Sequence, residues 1–145
     1  MKIVDVNILL YAVNPDTPHH DRIVEWWEER LNGDESIGLA WTVAVGFLRI
    51  STHPRIFPSP LTPEEAIGQL DVWLALDIVS LLTENRDHWR TLRGLLTDVG
   101  VAGNLASDAH LAALALTHGA TLASCDADFS RFRRLRWENP LHVAS

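Results

Sequence analysis

The amino-acid sequence predicts an α/β fold with a mostly parallel central sheet flanked by helices. Three observations carry that reading. Short apolar runs of strand length alternate with amphipathic helical stretches along the chain. No Asn-Gly or Asp-Gly turn joins two strand-like runs, so hairpins are not signalled. The length, 145 residues, suits one domain. A chain of this size buries roughly 68–70% of its unfolded surface, enough for one core without covalent staples.

Residues 2–6, KIVDV, read as a short buried strand, and NILLYAV after it as a brief helix punctuated by Pro15 and Pro18. In HDRIVEWWEERL, Ile23, Trp27 and Leu31 recur at helical spacing, and Asn32-Gly33 closes the helix. Trp26 cannot share the face of Trp27, which predicts an exposed Trp26 at an interface. SIGLA, 36–40, is the second strand, and Thr42 is the expected cap of a helix running to Ser51, before His53-Pro54.

Thr62-Pro63-Glu64-Glu65 is a helix start with a capping box, Pro63 taking the first helical position. Ala66, Ile67, Leu70, Trp73 and Leu74 form that helix's apolar face. DIVSLL, 77–82, is a strand. Trp89, Leu92, Leu96 and Val99 mark a helix ended by Gly100, and Ser107 to His118 one stopped by Gly119. TLAS, 121–124, is a short strand, and RWENPL supplies an edge strand. With no repeat or linker, residues 1–141 are expected to form one domain and 142–145 a C-terminal tail.

Apolar residues make up 47% and charged residues 21%, a globular balance that excludes a disordered chain. The single cysteine, Cys125, excludes an internal disulfide and a cysteine-based zinc cluster. No apolar run approaches the ~20 residues of a membrane span. MKIVDVN lacks a signal peptide's apolar stretch, so the expected location is cytoplasmic, without membrane contact. The net charge of −7 argues against a non-specific nucleic-acid coat. Basic residues are nearly all arginine, and four of them, Arg131, Arg133, Arg134 and Arg136, cluster without an acid between them. They read as a solvated face or as a contact for phosphate groups.

In open α/β sheets, ligands bind beyond the carboxyl ends of the strands. Asp5 falls at the end of the first strand within an apolar run, where an unpartnered carboxylate is costly. Asp126 and Asp128 follow the TLAS strand, and Asp108 stands in the first turn of its helix. Taken singly, Asp108 is an ordinary first-turn acid, and Asp126 and Asp128 are turn residues. Taken together, several acids converging on one sheet edge repel each other unless a cation joins them. An all-oxygen donor set suits Mg²⁺ or Mn²⁺.

Val4-Asp5-Val6-Asn7, then Phe47-Leu48-Arg49-Ile50-Ser51-Thr52-His53-Pro54-Arg55, then the run from Ser107-Asp108 to Ala115, then Leu122 to Asp126-Ala127-Asp128-Phe129, carry a resemblance. In this order they resemble the PIN-domain nucleases, and within them the VapC-like toxins of bacterial toxin–antitoxin pairs. The resemblance runs from Lys2 to about Leu141. It implies a PIN-like three-layer sandwich and a metal-dependent endoribonuclease acting on single-stranded RNA. It also implies a small antitoxin partner that occupies the groove, and a homodimer. Asp5, Asp108 and Asp126 match the family's acidic positions, and Asp128 a less uniform one. Asn7 and Ser124 match polar residues lining the site and are expected to position water or phosphate. Arg49 reads either as an RNA-backbone contact or as a surface ion pair. One departure stands out: Gly46 occupies the place of the family's usual glutamate, on a stretch, TVAVGFLRISTH, without any acid. That opens an alternative, a catalytically degenerate domain that only binds RNA or a protein partner.

Other enzyme classes lack their residues. Cys125 and Arg131 spell C-x5-R, the cysteine-phosphatase pattern, but Asp126 and Asp128 within that loop would repel both thiolate and phosphate. A phosphoacceptor receiver needs a lysine at the site, and the sole lysine, Lys2, lies at the wrong end of the first strand. No Gly-rich phosphate loop or nucleophile elbow is present. The histidines show no zinc spacing. His110 and His118, eight apart, lie on roughly one helix face.

Overall fold

The computed structural model describes residues 1–142. Residues 143–145 of the expected tail lie outside the described residues. The elements run β1 (Lys2–Val4), α1 (Val6–Val13), α2 (His20–Leu31), β2 (Ile37–Ala40), α3 (Trp41–Ser51) and α4 (Pro63–Leu74). They continue with β3 (Val79–Leu82), α5 (His88–Val99), α6 (Leu105–Thr117), β4 (Thr121–Ala123), a 3-10 helix (Ala127–Arg131) and β5 (Trp137–Glu138).

The five strands form one sheet in the order β3-β2-β1-β4-β5, every pair parallel. From β1 the chain moves outward to β2 and β3, then returns to place β4 on the other side of β1. The strand order therefore reverses between β1 and β4, and a crevice opens at such a switch point, beyond the carboxyl ends. Helices α1 to α4 pack on one another, while α5 pairs with α6. Fully buried Ile3, Val4, Leu39 and Leu122 line the sheet, as strands covered on both faces require. Gly38 is needed where it stands: a Cβ there would collide with the Leu82 side chain on β3.

The sequence reading holds for the order of elements and needs correction at several ends. The first strand stops at Val4 rather than at residue 6, because the Asp5 side chain accepts a hydrogen bond from the Val6 N–H and caps α1. Helix α3 starts at Trp41, with Ala40 at the cap position and no side-chain cap, so Thr42 does not cap it. Helix α6 starts at Leu105, which keeps Asp108 in its first turn. The capping box at Thr62 and Glu65 forms as expected, with bonds of 3.1 and 3.0 Å. Gly100 closes α5 at φ 82.

Three aromatic and aliphatic placements differ. Trp26 is buried, 8% exposed, with the Arg30 guanidinium 5.6 Å over its ring. Trp89 is 68% exposed and Ile67 51% exposed, so neither serves the core. Helical spacing counts residues on a face but does not say how wide that face is once neighbours pack against it.

Candidate active site

Asp5 leaves β1 at the switch point, and its backbone N–H still donates to Ala123 O of β4 at 2.9 Å. This bond sets the ends of β1 and β4 side by side and brings Ser124 to Asp5. Ser124, fully buried, donates its hydroxyl to Asp5 Oδ2 at 2.7 Å. Its oxygen accepts from Asn7 Nδ2 at 3.2 Å and from the Asp126 N–H at 3.0 Å. A serine hydroxyl has one donor and two acceptor sites, so all three are used. Asn7 Nδ2 also donates to Asp5 Oδ2 at 3.3 Å, and Asn7 Oδ1 accepts the Cys125 N–H at 3.2 Å. Asp5 Oδ1 takes the Val6 N–H at 2.7 Å. A carboxylate offers about four acceptor positions; three are taken, and the remaining one is on Oδ1.

Asp126 caps the 3-10 helix, its Oδ1 accepting the Asp128 N–H at 2.9 Å. The short helix turns Asp128 back toward Asp126, and α6 delivers Asp108 to the same place. One carboxylate oxygen from each of Asp108, Asp126 and Asp128 lies within 4.8 Å of the others, and among the described residues no other three acids, histidines or cysteines converge in this way. No donor among the described residues bonds the Asp108 carboxylate. Burial, then Asp126, Asp5 and Asp128, push its pKa up to about 6. Burial also raises Asp5; the Ser124 hydroxyl and Val6 N–H pull it back, and Asp126 pushes it up.

A cation fits this donor set. The converging atoms are carboxylate oxygens, hard ligands of the kind divalent magnesium, manganese and calcium select. Asp108 is raised by burial first and then by three neighbouring carboxylates, and among the described residues no cation pairs with it. Of the residues expected at the site, Asp5, Asn7, Ser124, Asp108, Asp126 and Asp128 are brought together. Arg49 is not: it sits in the last turn of α3 beside an apolar hollow lined by Val45, Leu48 and Ile67. It has no ion-pair partner among the described residues. Gly46 faces α1, where an added Cβ would meet Val6 Cγ2 at 3.6 Å, an ordinary contact that leaves room for a side chain.

The competing chemistries lose their footing here. Burial, then Asp5, push the Cys125 thiol up to about 12, which keeps it protonated and removes the cysteine-phosphatase nucleophile. Lys2 pairs with Glu138 at 2.7 Å and Glu35 at 3.9 Å, at the opposite end of β1. Sequence reasoning did not pair His88 with His110, whose Nε2 and Nδ1 stand 2.9 Å apart. Twenty-two residues separate them, and only the α5–α6 packing joins them. It also missed the backbone N–H groups of Val6 and Cys125, which any residue type could supply.

The PIN domain family model matches residues 2–135. The chain is 44% identical over 140 residues to Ribonuclease VapC37 of Mycobacterium tuberculosis, covering 97% of each. To Ribonuclease VapC33 of the same species it is 41% identical over 141 residues, covering 97% of this chain and 99% of the relative. Among solved structures, VapBC2 from Rickettsia felis, bound to a promoter DNA fragment, superposes with a TM-score of 0.71 at 21% identity, over 95% of this chain and 97% of that one. An acidic crevice at the switch point of a parallel sheet, and this identity along nearly the whole sequence, lead to one conclusion: the chain belongs to the PIN-domain family, among the VapC ribonucleases.

Proposed function

We propose that the protein is a divalent-metal-dependent endoribonuclease that cleaves single-stranded RNA in the cytoplasm and is neutralised by a small cognate antitoxin. The observation that carries the reading is the convergence of Asp108, Asp126 and Asp128 beside Asp5, in a chain 44% identical to a named ribonuclease. Asp5, Asp108 and Asp126 are the proposed catalytic carboxylates and metal ligands, with Asp128 as a fourth, and Mg²⁺ or Mn²⁺ as the ion. A bound divalent ion supplies charge stabilisation at the phosphate and lowers the pKa of attacking water.

The chain's own groups do the rest. Asp108, whose acceptor positions are all free among the described residues, would offer the most to a bound ion. Asp5, with one position left on Oδ1, would offer less and is kept in place by Ser124 and Asn7. Ser124, its hydroxyl saturated, acts through Asp5, and of the two residues only Asn7 keeps a free position, one acceptor site on Oδ1, for water at the phosphate. The exposed apolar side chains Val45, Ile67 and Val72 on α3 and α4 support a protein partner, either the antitoxin or a second copy in a homodimer.

The test is cleavage of single-stranded RNA with Mg²⁺ or Mn²⁺, with EDTA, and with Asp108→Asn. Wild-type cleavage that EDTA and Asp108→Asn both abolish is expected. RNA binding with no cleavage at any metal concentration would instead favour the degenerate binding domain that Gly46 suggests.

A further inference from the structure

A second hollow lies away from the acids, between the end of α5 and the chain that follows the 3-10 helix. It encloses about 560 Å³, within the size range of ligand pockets. The exposed residues Arg131, Arg133 and Arg134 line it with one acid, Asp98, over the buried Leu95 and Phe132. The four clustered arginines divide here. Arg136 is engaged, its guanidinium donating to Gly119 O at 2.7 Å, where α6 ends with Gly119 at φ 62. Arg131, Arg133 and Arg134 are exposed and, among the described residues, have no ion-pair partner.

This concentration of unpaired cations stands in a chain of net charge −7. A polyanion approaching such a protein meets repulsion, most of all at the acidic crevice. A focal cationic cleft offsets it and orients the strand. Guanidinium forks bond phosphate oxygens in pairs and also stack on bases, which suits a single-stranded RNA. The cleft is also joined to the acids by covalent structure. The 3-10 helix starts from its cap Asp126, carries Asp128 and ends at Arg131; at about 2 Å rise per residue it spans about 10 Å.

We propose that this cleft binds the phosphodiester backbone of single-stranded RNA within a few nucleotides of the scissile bond. The proposal rests on the ribonuclease reading. It makes Arg131, Arg133 and Arg134 the residues that give the enzyme its hold on substrate beyond the reacting phosphate.

The experiment measures binding of a labelled single-stranded RNA oligomer in EDTA across a salt series, for the wild type, Arg131→Gln/Arg133→Gln/Arg134→Gln and Asp98→Asn, alongside wild-type cleavage with Mn²⁺. The triple variant is expected to bind roughly 10- to 100-fold more weakly at low salt, with a salt slope flatter by about 2, from about 0.7 per lost contact. Its KM should rise while its kcat at saturating RNA holds. Asp98→Asn should bind more tightly. If the wild type cleaves RNA and the folded triple variant keeps wild-type affinity and slope, the cleft proposal is overturned and the ribonuclease reading stands. Loss of antitoxin affinity with RNA affinity intact also overturns it, and makes the cleft a protein surface. A wild type that neither binds nor cleaves RNA removes both readings. Should the triple variant fail to fold, Asp98→Asn decides: unchanged affinity overturns the proposal.

Discussion

The two halves of the acidic crevice are built in opposite ways. On the β1–β4 side, Asp5 accepts three hydrogen bonds, two of them at 2.7 Å. On the α6 side, Asp108 accepts none among the described residues and faces Asp126 and Asp128. The first carboxylate is held by the fold itself. The second is held in place by its helix but left electrostatically uncompensated. A site composed this way pairs a hydrogen-bonded wall with an unsatisfied face, and the second is where a cation would relieve the larger repulsion.

The largest effect that could break this contrast is on stability. In metal-free protein near neutral pH, Asp108→Asn removes a repelled charge and should raise the melting temperature by several degrees, at about 2–4 °C per kcal/mol for this size. Asp5→Asn should lower it instead. The new amide would set its N–H₂ against the donors of Ser124 and Asn7, an unsatisfied arrangement worth about 1–3 kcal/mol. Thermal melts showing the same sign for both would end the distinction.

The pH dependence follows from the same contrast. The folded-state pKa of Asp108, about 6, exceeds its ordinary 3.8. The folded protein therefore holds that proton longer than the unfolded chain does. The associated stability is complete below about pH 4 and is lost as pH rises through 6. Asp5, also raised, acts in the same direction. Metal-free wild type should lose melting temperature across that window, and Asp108→Asn should lose less. Added Mn²⁺ competes with the proton, so its stabilisation should grow as pH rises through 6.

A smaller effect probes the wired half. Ser124→Ala removes the one hydroxyl that donates to Asp5 and accepts from Asn7 and Asp126. Without that donor the Asp5 pKa rises further. Cleavage should fall more at pH 6 than at pH 8, and a uniform loss across the pH–rate profile would show that Ser124 acts only through packing.

The smallest expected change is at Gly46. Glutamate fits there, since a Cβ meets only Val6 Cγ2, and replacing a mid-helix glycine recovers up to ~1 kcal/mol relative to the flexible chain. Gly46→Glu should tighten Mn²⁺ binding several-fold in RNA-free protein. Calorimetry giving equal affinities for the folded variant and wild type would show that position 46 does not face the metal.

The acids were legible in the sequence because each follows a strand or opens a helix, where chain-local rules place it at the carboxyl edge. Asp5 was legible as a costly carboxylate in an apolar run, but not as a helix cap, since KIVDV looks like uninterrupted strand until the Asp5–Val6 hydrogen bond is known. The saturation of Ser124 was not legible at all. It depends on β4 settling next to β1, which no spacing announces. Nor did four clustered arginines reveal that Arg136 is spent on the end of α6 while the other three have no ion-pair partner among the described residues, because Gly119 and Leu95 reach them only through tertiary packing.

Residues 5 and 124 share one hydrogen bond across 119 positions, so the site forms only when the two ends of the chain are brought together. Until β4 pairs with β1, Asp5 has no hydroxyl to steady it and the central strand of the sheet lacks one neighbour. A chain cut short before Thr121 lacks β4, Ser124, Asp126 and Asp128, and with them the wall and most of the acids of the crevice. The crevice is therefore a property of the closed sheet and of no shorter piece of the chain.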